Sequence, residues 1–229
     1  MIRDDIEKTN KGKLEEINGQ SNLLVSFGGV HQGLGMPVFE FFNSISDIHC
    51  DKIYLRDFQQ AWYQKGVDSE IDNLDKVVEY LNNIISKNNY DKVCFLGNSM
   101  GGYAAILFGI ILNVDSVISF APQSFIDISN RLRNFDARWM KKILKIYFYK
   151  GKRSEYFDLK KHLSKCKPYK TEINVYYSPN HKLDKKHAER LKKQENIVLH
   201  PISAGGHAVV KVVRNSGELK SLIKSAFKT

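Results

Sequence analysis

A serine stands between glycines at the point where an apolar run gives way to a run of small and apolar residues. Residues 97–102 read GNSMGG and satisfy the pattern G-x-S-x-G at Ser99. KVCFL precedes the motif and YAAILFGIIL follows it, which predicts a strand, a sharp turn and a helix. A serine at such a turn is exposed at the carboxyl end of its strand, so the context indicates a nucleophile. A glycine turn without chemistry is the alternative.

A serine nucleophile needs a base, and histidine suits that role because its pKa lies near neutrality. His207 stands in the glycine-rich segment PISAGGHAVV, directly after the last predicted strand. A carboxylate that orients the imidazole would lie between Ser99 and His207 in the chain. Asp184, after the predicted strand INVYYS, is our choice, and its alternative role is a helix N-cap. Asp127, in APQSFID, is the competing acid.

Acyl chemistry also needs hydrogen-bond donors for a developing oxyanion, commonly two backbone N–H groups. Met100 directly follows Ser99 and supplies one donor by position. The segment SFGGVHQGLG follows the first strong strand, where the chain must turn sharply. We choose Gly29 in this turn as the second donor, ahead of Val30, although its glycines could serve the turn alone.

Two further segments offer candidates for contact with a substrate. The segment LRDFQQAWYQKG supplies Asp57, Trp62 and Tyr63, a polar and aromatic set suited to a sugar or an acyl chain. Packing beneath a loop is the alternative for these three. Arginines of the 123–170 segment could face an anionic substrate or form solvated surface: Arg131, Arg133 and Arg138.

The elements around these residues alternate between strand and helix. Apolar residues at steps of three and four predict a helix over 70–88. Buried strands are predicted at 22–27, 52–55, 92–97, 116–120, 173–178 and 196–202. This alternation is typical of an α/β fold with a mainly parallel sheet, here of about six to seven strands, and helices on both of its faces. Sites in such folds lie at the carboxyl ends of the strands.

The domain organisation follows from the same pattern. We expect residues 1–21 to form an extension or an edge strand, and residues 22–229 to form one domain. Residues 123–170 interrupt the alternation and are predicted to form a small helical cap, with an amphipathic helix in ARWMKKILKIYFY. An ordinary helix over the sheet is the alternative for that segment.

Composition narrows the class of protein. The chain has 229 residues and a formal net charge of +10, but no nucleic-acid-binding motif surrounds its basic residues. No apolar run approaches the ~20 residues that span a bilayer, so we expect a cytoplasmic protein without a transmembrane segment. Cys50, Cys94 and Cys166 lack zinc-site spacing, which predicts reduced thiols and no metal site.

With Ser99, Asp184 and His207 in this order, the chain resembles the α/β-hydrolase superfamily over about residues 22–228. In detail it is similar to a compact bacterial branch of esterase-like proteins, some associated with surface-polysaccharide genes, that carry an FGG turn and a late GGH. Two departures are Phe27, where many relatives have histidine before the glycine, and Asn180, where some have aspartate.

The resemblance implies a serine hydrolase that cleaves a small acyl or carbohydrate ester through an acyl-enzyme, without a cofactor. An acyltransferase acting on a sugar hydroxyl in polysaccharide biosynthesis is one alternative. A non-catalytic binding protein on a hydrolase scaffold is the other, because a fold does not fix a function.

Overall fold

The computed structural model describes residues 11–30 and 39–228, and it contains a seven-stranded sheet. The strands are β1 (Lys13–Glu16), β2 (Asn22–Phe27), β3 (Asp51–Leu55), β4 (Lys92–Asn98), β5 (Ser116–Phe120), β6 (Glu172–Tyr177) and β7 (Ile197–Pro201). Their order in the sheet is β1-β3-β2-β4-β5-β6-β7. β1 runs antiparallel to β3, and every other pair is parallel. The predicted mainly parallel sheet is therefore confirmed.

The central strands are buried along almost their whole length because helices cover both faces of the sheet. All five residues of β5 are buried, for example, with no alternation between buried and exposed positions. The first residues of the chain that the structure describes lead into β1, which forms one edge of the sheet. Residues 1–10 of the predicted N-terminal extension lie outside the described residues.

The helices pack in two layers. They are α1 (Phe42–Ile45), α2 (Leu74–Asn88), α3 (Met100–Ile111), α4 (Ile128–Asn134), α5 (Met140–Tyr147), α6 (Leu159–Lys165), α7 (Lys182–Glu189), α8 (Val209–Asn215) and α9 (Glu218–Ala226). One core cluster contains the buried residues of α2 and α3, and the other contains those of α8 and α9. The predicted placement of helices on both faces is confirmed.

Helix α2 begins four residues later than the periodicity of 70–88 predicts. Asn73 has extended backbone angles, and its side chain accepts a hydrogen bond from Lys76 N at 2.9 Å. This N-cap satisfies an N–H that has no acceptor within the helix, and so sets the start at Leu74.

Between β5 and β6 the chain forms α4, α5 and α6, in the segment that the sequence predicts as a cap. Ile143 and Ile146 of α5 are fully buried and belong to the same core cluster as α3. In the described part of the chain, no helix is long and apolar enough to cross a membrane.

Candidate active site

Ser99 lies at the turn between β4 and α3, with φ of 55° and ψ of −112°. A non-glycine residue at positive φ is strained, and the surrounding contacts hold it there. The Ser99 N–H donates to Phe120 O at 2.8 Å. A Cβ on Gly97 would lie 2.1 Å from Gly101 O, and one on Gly101 would lie 2.0 Å from Phe27 O. The two glycines of the motif are therefore required by the close approach of neighbouring backbone.

His207 and Asp184 come together from the segments that follow β7 and β6: Asp184 lies in the first turn of α7, and His207 lies in a single 3-10 turn before α8. His207 Nδ1 lies 2.7 Å from Asp184 Oδ2, which is hydrogen-bond distance. Asp184 is 1% exposed, while the His207 side chain is 41% exposed. Because Nδ1 bonds to the carboxylate, Nε2 remains for chemistry on the open side of the ring. This is the arrangement expected of an imidazole that an acid orients.

The second oxygen of Asp184 is bound by an arginine of the segment that the sequence predicts as a cap. Arg138 donates from NH1 to Asp184 Oδ1 at 2.9 Å, and binds Asp136 through both Nε and NH2. Burial by itself would raise the pKa of Asp184, but the hydrogen bonds and charges of His207 and Arg138 outweigh it and lower this pKa. Asp184 is therefore ionised at neutral pH.

A buried histidine, His187, adds to the hydrogen bonds that join Asp184, Arg138 and Asp136. His187 Nε2 lies 3.0 Å from Asp136 Oδ2, and the Ser124 N–H donates to His187 Nδ1 at 3.0 Å. His187 is fully buried, and burial lowers its pKa. The network joins the cap segment that carries Asp136 and Arg138 to the carboxylate beside His207.

The two aspartates that the sequence leaves in competition have different local roles. Asp127 is the N-cap of α4, where it accepts from Asn130 N at 2.9 Å. The N-cap of α7 is His181, whose Nδ1 accepts from Asp184 N at 3.2 Å. Asp184 is therefore not the cap of its own helix, and it is the one of the two that pairs with His207.

The predicted oxyanion loop lies against the serine. The position that a Cβ on Gly29 would take is 3.9 Å from Ser99 Cβ. However, the Gly29 N–H donates to Glu40 Oε2 at 2.7 Å, so a carboxylate already occupies the donor that the sequence favours. Among the described residues, the neighbouring Val30 N–H has no acceptor. Met100 opens α3, so its N–H has no helical acceptor.

Glu40 is a buried carboxylate beside the oxyanion loop that sequence reasoning misses. Its Oε1 accepts from Asn98 Nδ2 at 3.0 Å, so its carboxylate bridges the loop after β2 and the residue before Ser99. Burial raises the pKa of Glu40 to about 7, against the lowering effects of Gly29, Asn98 and His207. A glutamate within the apolar run PVFEFF is the one sequence signal that could have drawn attention to it.

Within the described residues, no hydrogen bond joins Ser99 Oγ to His207. Ser99 is 6% exposed, so the prediction of an exposed serine is wrong for the ligand-free chain. It stands at the carboxyl end of β4, in the same sheet as β6 and β7, and the segments after those two strands carry Asp184 and His207. Hydrogen bonds between catalytic groups are often long in ligand-free structures and shorten when substrate binds. The serine and the imidazole–carboxylate pair thus share one edge of the sheet.

The three residues predicted to contact substrate after β3 are buried in the ligand-free chain. Asp57 Oδ2 accepts from Ala61 N at 2.6 Å and from Tyr63 N at 2.9 Å. Trp62 Nε1 donates to Gln123 Oε1 at 2.9 Å, and Tyr63 OH lies within 3.1 Å of Gly28 O. These contacts hold the loops around Ser99, and a direct substrate contact stays a prediction.

The three arginines of the cap differ in environment. Arg131 is buried and lies 3.6 Å from Asp136 Oδ1. Arg138 binds Asp136 and Asp184. Only Arg133 of the three is exposed. Two of the arginines thus serve internal ion pairs in this structure, and contact with an anionic substrate stays a prediction for each.

His181, Asp184 and His207 also offer nitrogen and oxygen atoms within 4.8 Å of one another, a set that could ligate a metal ion. Two features oppose a cation there. The 2.7 Å contact between His207 Nδ1 and Asp184 Oδ2 is already a hydrogen bond, and the Arg138 guanidinium supplies positive charge to the same carboxylate. The donor set therefore fits an imidazole–carboxylate pair better than a metal centre.

No protein-family model matches the sequence. No curated protein matches it either. Among solved structures, the capsule O-acetyltransferase of Neisseria meningitidis serogroup A matches with a TM-score of 0.67 and 18% identity, over 93% of this chain and 90% of that chain. A mutant of that acetyltransferase in complex with CoA matches with a TM-score of 0.64 and 15% identity, over 90% and 89% of the two chains.

An α/β hydrolase from the metagenome of lagoon sediments at Mar Chica, Morocco, matches with a TM-score of 0.60 and 19% identity, over 94% of each chain. Likeness at this level of identity is a likeness of fold. The sheet order, the strand-to-helix turn at Ser99 and these neighbours together show that the chain has the fold of the α/β-hydrolase superfamily.

Proposed function

We propose that this protein is a serine hydrolase that cleaves the carboxylic ester of a small acyl group or a carbohydrate through an acyl-enzyme. The observation that carries the proposal is the 2.7 Å contact of His207 Nδ1 with Asp184 Oδ2, at the sheet edge where Ser99 is held in a strained turn. Serine alone is a weak nucleophile, and an oriented imidazole is the group that activates it.

In the first half of the reaction, Ser99 Oγ forms a bond to the ester carbonyl carbon while His207 Nε2 takes the hydroxyl proton. The carbonyl electron pair moves onto oxygen, and the Met100 N–H with an N–H of the loop after β2 stabilises it. The C–O bond to the alcohol then breaks, and His207 returns the proton to the leaving oxygen. Asp184 stabilises the imidazolium through Nδ1.

In the second half, water replaces the alcohol. His207 Nε2 takes a proton from the water as its oxygen bonds to the acyl carbon of the Ser99 ester. The second tetrahedral intermediate collapses, the bond to Ser99 Oγ breaks, and the proton passes to that oxygen. The enzyme and the free carboxylic acid result.

A fluorophosphonate probe tests the nucleophile directly. We expect labelling at Ser99, identified by mass spectrometry of the labelled peptide, and its loss in Ser99→Ala. Ser216→Ala, at an exposed serine on the surface, is the matched control and should label as the parent does. A folded protein that stays unlabelled would contradict the proposal and favour a non-catalytic binding protein.

Acyl transfer is the second candidate, in which a sugar hydroxyl takes the place of water. Three matched structures are of a capsule O-acetyltransferase, one of them with CoA, and each match covers at least 90% of this chain. Both reactions share the first half, with a thioester or an ester as the acyl donor.

Product analysis separates the two candidates. The protein would be incubated with acetyl-CoA or an aryl acetate, with and without an oligosaccharide acceptor. Acetylated oligosaccharide formed by the parent, but not by Ser99→Ala, would indicate transfer. Free acetate at an unchanged rate with the acceptor present would indicate hydrolysis.

A further inference from the structure

The segment between β5 and β6 carries most of the large apolar side chains that are exposed in the described part of the chain. The described residues include five large exposed apolar side chains, and four of them lie between positions 132 and 148. They are Leu132 at 65%, Phe135 at 89%, Leu144 at 39% and Phe148 at 85% exposure. Single exposed apolar residues are ordinary, but a group of them marks an interaction surface.

Helix α5 shows how this surface is built. Its buried side contains Ile143 and Ile146, which anchor the helix in the core. Leu144 lies in α5 and Phe148 is its C-cap with helical backbone angles, so these residues, four apart, lie on one side of the helix, and both are exposed. The helix is therefore apolar on two sides, and only one of them is covered.

The exposed apolar residues are interleaved with cations. Arg133, Lys141 and Lys145 are exposed, and none of them has an ion-pair partner among the described residues. Residues 123–170 contain 14 Lys and Arg against 4 Asp and Glu. Because the whole chain carries 35 basic and 25 acidic residues, this segment accounts for the full formal net charge of +10. The rest of the sequence contains equal numbers of basic and acidic residues.

We propose that this cap face, made of the four apolar residues with Arg133, Lys141 and Lys145, docks onto an anionic lipid bilayer. Exposed Phe and Leu can insert at the level of the headgroups, while adjacent lysines are attracted to acidic lipids. A second copy of this chain fits less well, because a symmetric interface would bring the same cations together.

Docking in this way would also orient the molecule. The segment between α4 and α5 carries Arg138, which binds Asp184 beside His207. The segment that would dock therefore includes a side chain that is hydrogen-bonded to the candidate active site. The docking proposal does not depend on the proposed ester chemistry, and Ser99→Ala should bind bilayers as well as the parent does.

Vesicle co-sedimentation of the full chain tests the proposal. We expect binding to vesicles of phosphatidylglycerol and phosphatidylcholine at low salt, and at least tenfold weaker binding to phosphatidylcholine alone. Lys141→Glu/Lys145→Glu should reduce the partition coefficient at least tenfold. The matched control is Lys220→Glu/Lys224→Glu, which makes the same charge change on α9 and should reduce it less than threefold.

The apolar part is tested by Phe135→Ser/Phe148→Ser, two changes at exposed positions that should leave folding intact. We expect at least a fivefold loss of vesicle binding, with Val198→Ser as the exposed apolar control outside the cap. No binding by the parent, or equal losses in cap and control variants, would overturn the proposal. So would a concentration-dependent dimer by light scattering that the Phe variants abolish, because a second copy would then occupy the face.

Discussion

Asp184 and Glu40 are two carboxylates near Ser99, and their environments move their pKa values in opposite directions. Asp184 accepts hydrogen bonds from His207 and Arg138, and its pKa is lowered in spite of burial. Glu40 accepts from a backbone N–H and from the Asn98 amide, and burial raises its pKa to about 7.

Burial raises the pKa of both carboxylates, and the two differ in the charge of the groups that donate hydrogen bonds to them. Neutral donors satisfy the oxygens of Glu40 but supply little of the electrostatic energy that burial removes. His207 and Tyr63 are the titratable groups that interact with it electrostatically. Asp184 thus keeps a fixed charge for orienting His207, whereas the charge of Glu40 changes close to neutral pH.

Removing the charge of Asp184 should produce the largest effect. Asp184→Asn places an amide against His207 Nδ1, which favours the wrong tautomer, so we expect kcat for ester hydrolysis to fall by about 10⁴-fold. Steady-state kinetics with an aryl ester measures it. Asp127→Asn is the matched control and should keep its activity, since asparagine also serves as an N-cap. Equal losses in both variants would contradict the assignment of the acid.

Removing the positive charge of Arg138 tests why the pKa of Asp184 is lowered whereas that of Glu40 is raised. Arg138→Met leaves Asp184 and Asp136 without their shared partner, and breaking a buried pair costs about 3 to 5 kcal/mol of unfolding free energy. The pKa of Asp184 should rise, so activity should be lost at higher pH on the acid side than in the parent. Urea unfolding and a pH–rate profile measure the two effects. Arg133→Met, at an exposed position, should change neither.

Glu40→Gln tests the other half of the comparison. Because the folded-state pKa of Glu40 is raised to about 7, its ionisation destabilises the parent as pH rises from about 4.5 to about 7. Glutamine does not ionise. When the pH rises from 5 to 8, the free energy of unfolding of the variant should therefore increase by about 1 to 3 kcal/mol relative to that of the parent. Urea unfolding at both pH values checks it. Glu16→Gln on β1 is the control, and an equal pH dependence there would refute the prediction.

The smallest effect is expected at the helix that carries Asp184. His181→Ala removes the acceptor of the Asp184 N–H and should lower the free energy of unfolding by about 1 kcal/mol. His181→Asn keeps an N-cap and should restore it. Thermal unfolding measures both variants, and kcat should change less than threefold. A loss of activity comparable to that of Asp184→Asn would assign His181 a chemical role.

Much of the fold could be predicted because each strand is a short apolar run between turn residues. The six predicted strands lie within one residue of β2 to β7. The start of α2 was less predictable. The apolar periodicity extends back to Ile71, whereas the helix begins only after the side-chain cap at Asn73. The first strand, Lys13–Glu16, has no apolar pattern of its own, because it lies at the edge of the sheet.

The candidate site could also be predicted only in part from the sequence. Ser99, Asp184 and His207 could be named because each lies in a segment between a strand and the following helix or in that helix's first turn, and the structure brings Asp184 and His207 together. The bond of Glu40 to Asn98 and that of Arg138 to Asp184 could not be found, since each joins residues more than 40 positions apart in the chain. Gly29 was chosen as a donor from its turn alone, whereas the structure directs its N–H to Glu40.

The sequence by itself determined the order of strands and helices, the strained turn at Ser99 and the loops that carry its partners. These depend on residues close together in the chain, through apolar runs, glycines and side-chain caps. Only the tertiary structure decided which carboxylate meets His207, which donor stays open near Ser99 and which carboxylate keeps its charge. Those outcomes depend on burial and on partners from distant segments, and a pattern along one chain does not contain them.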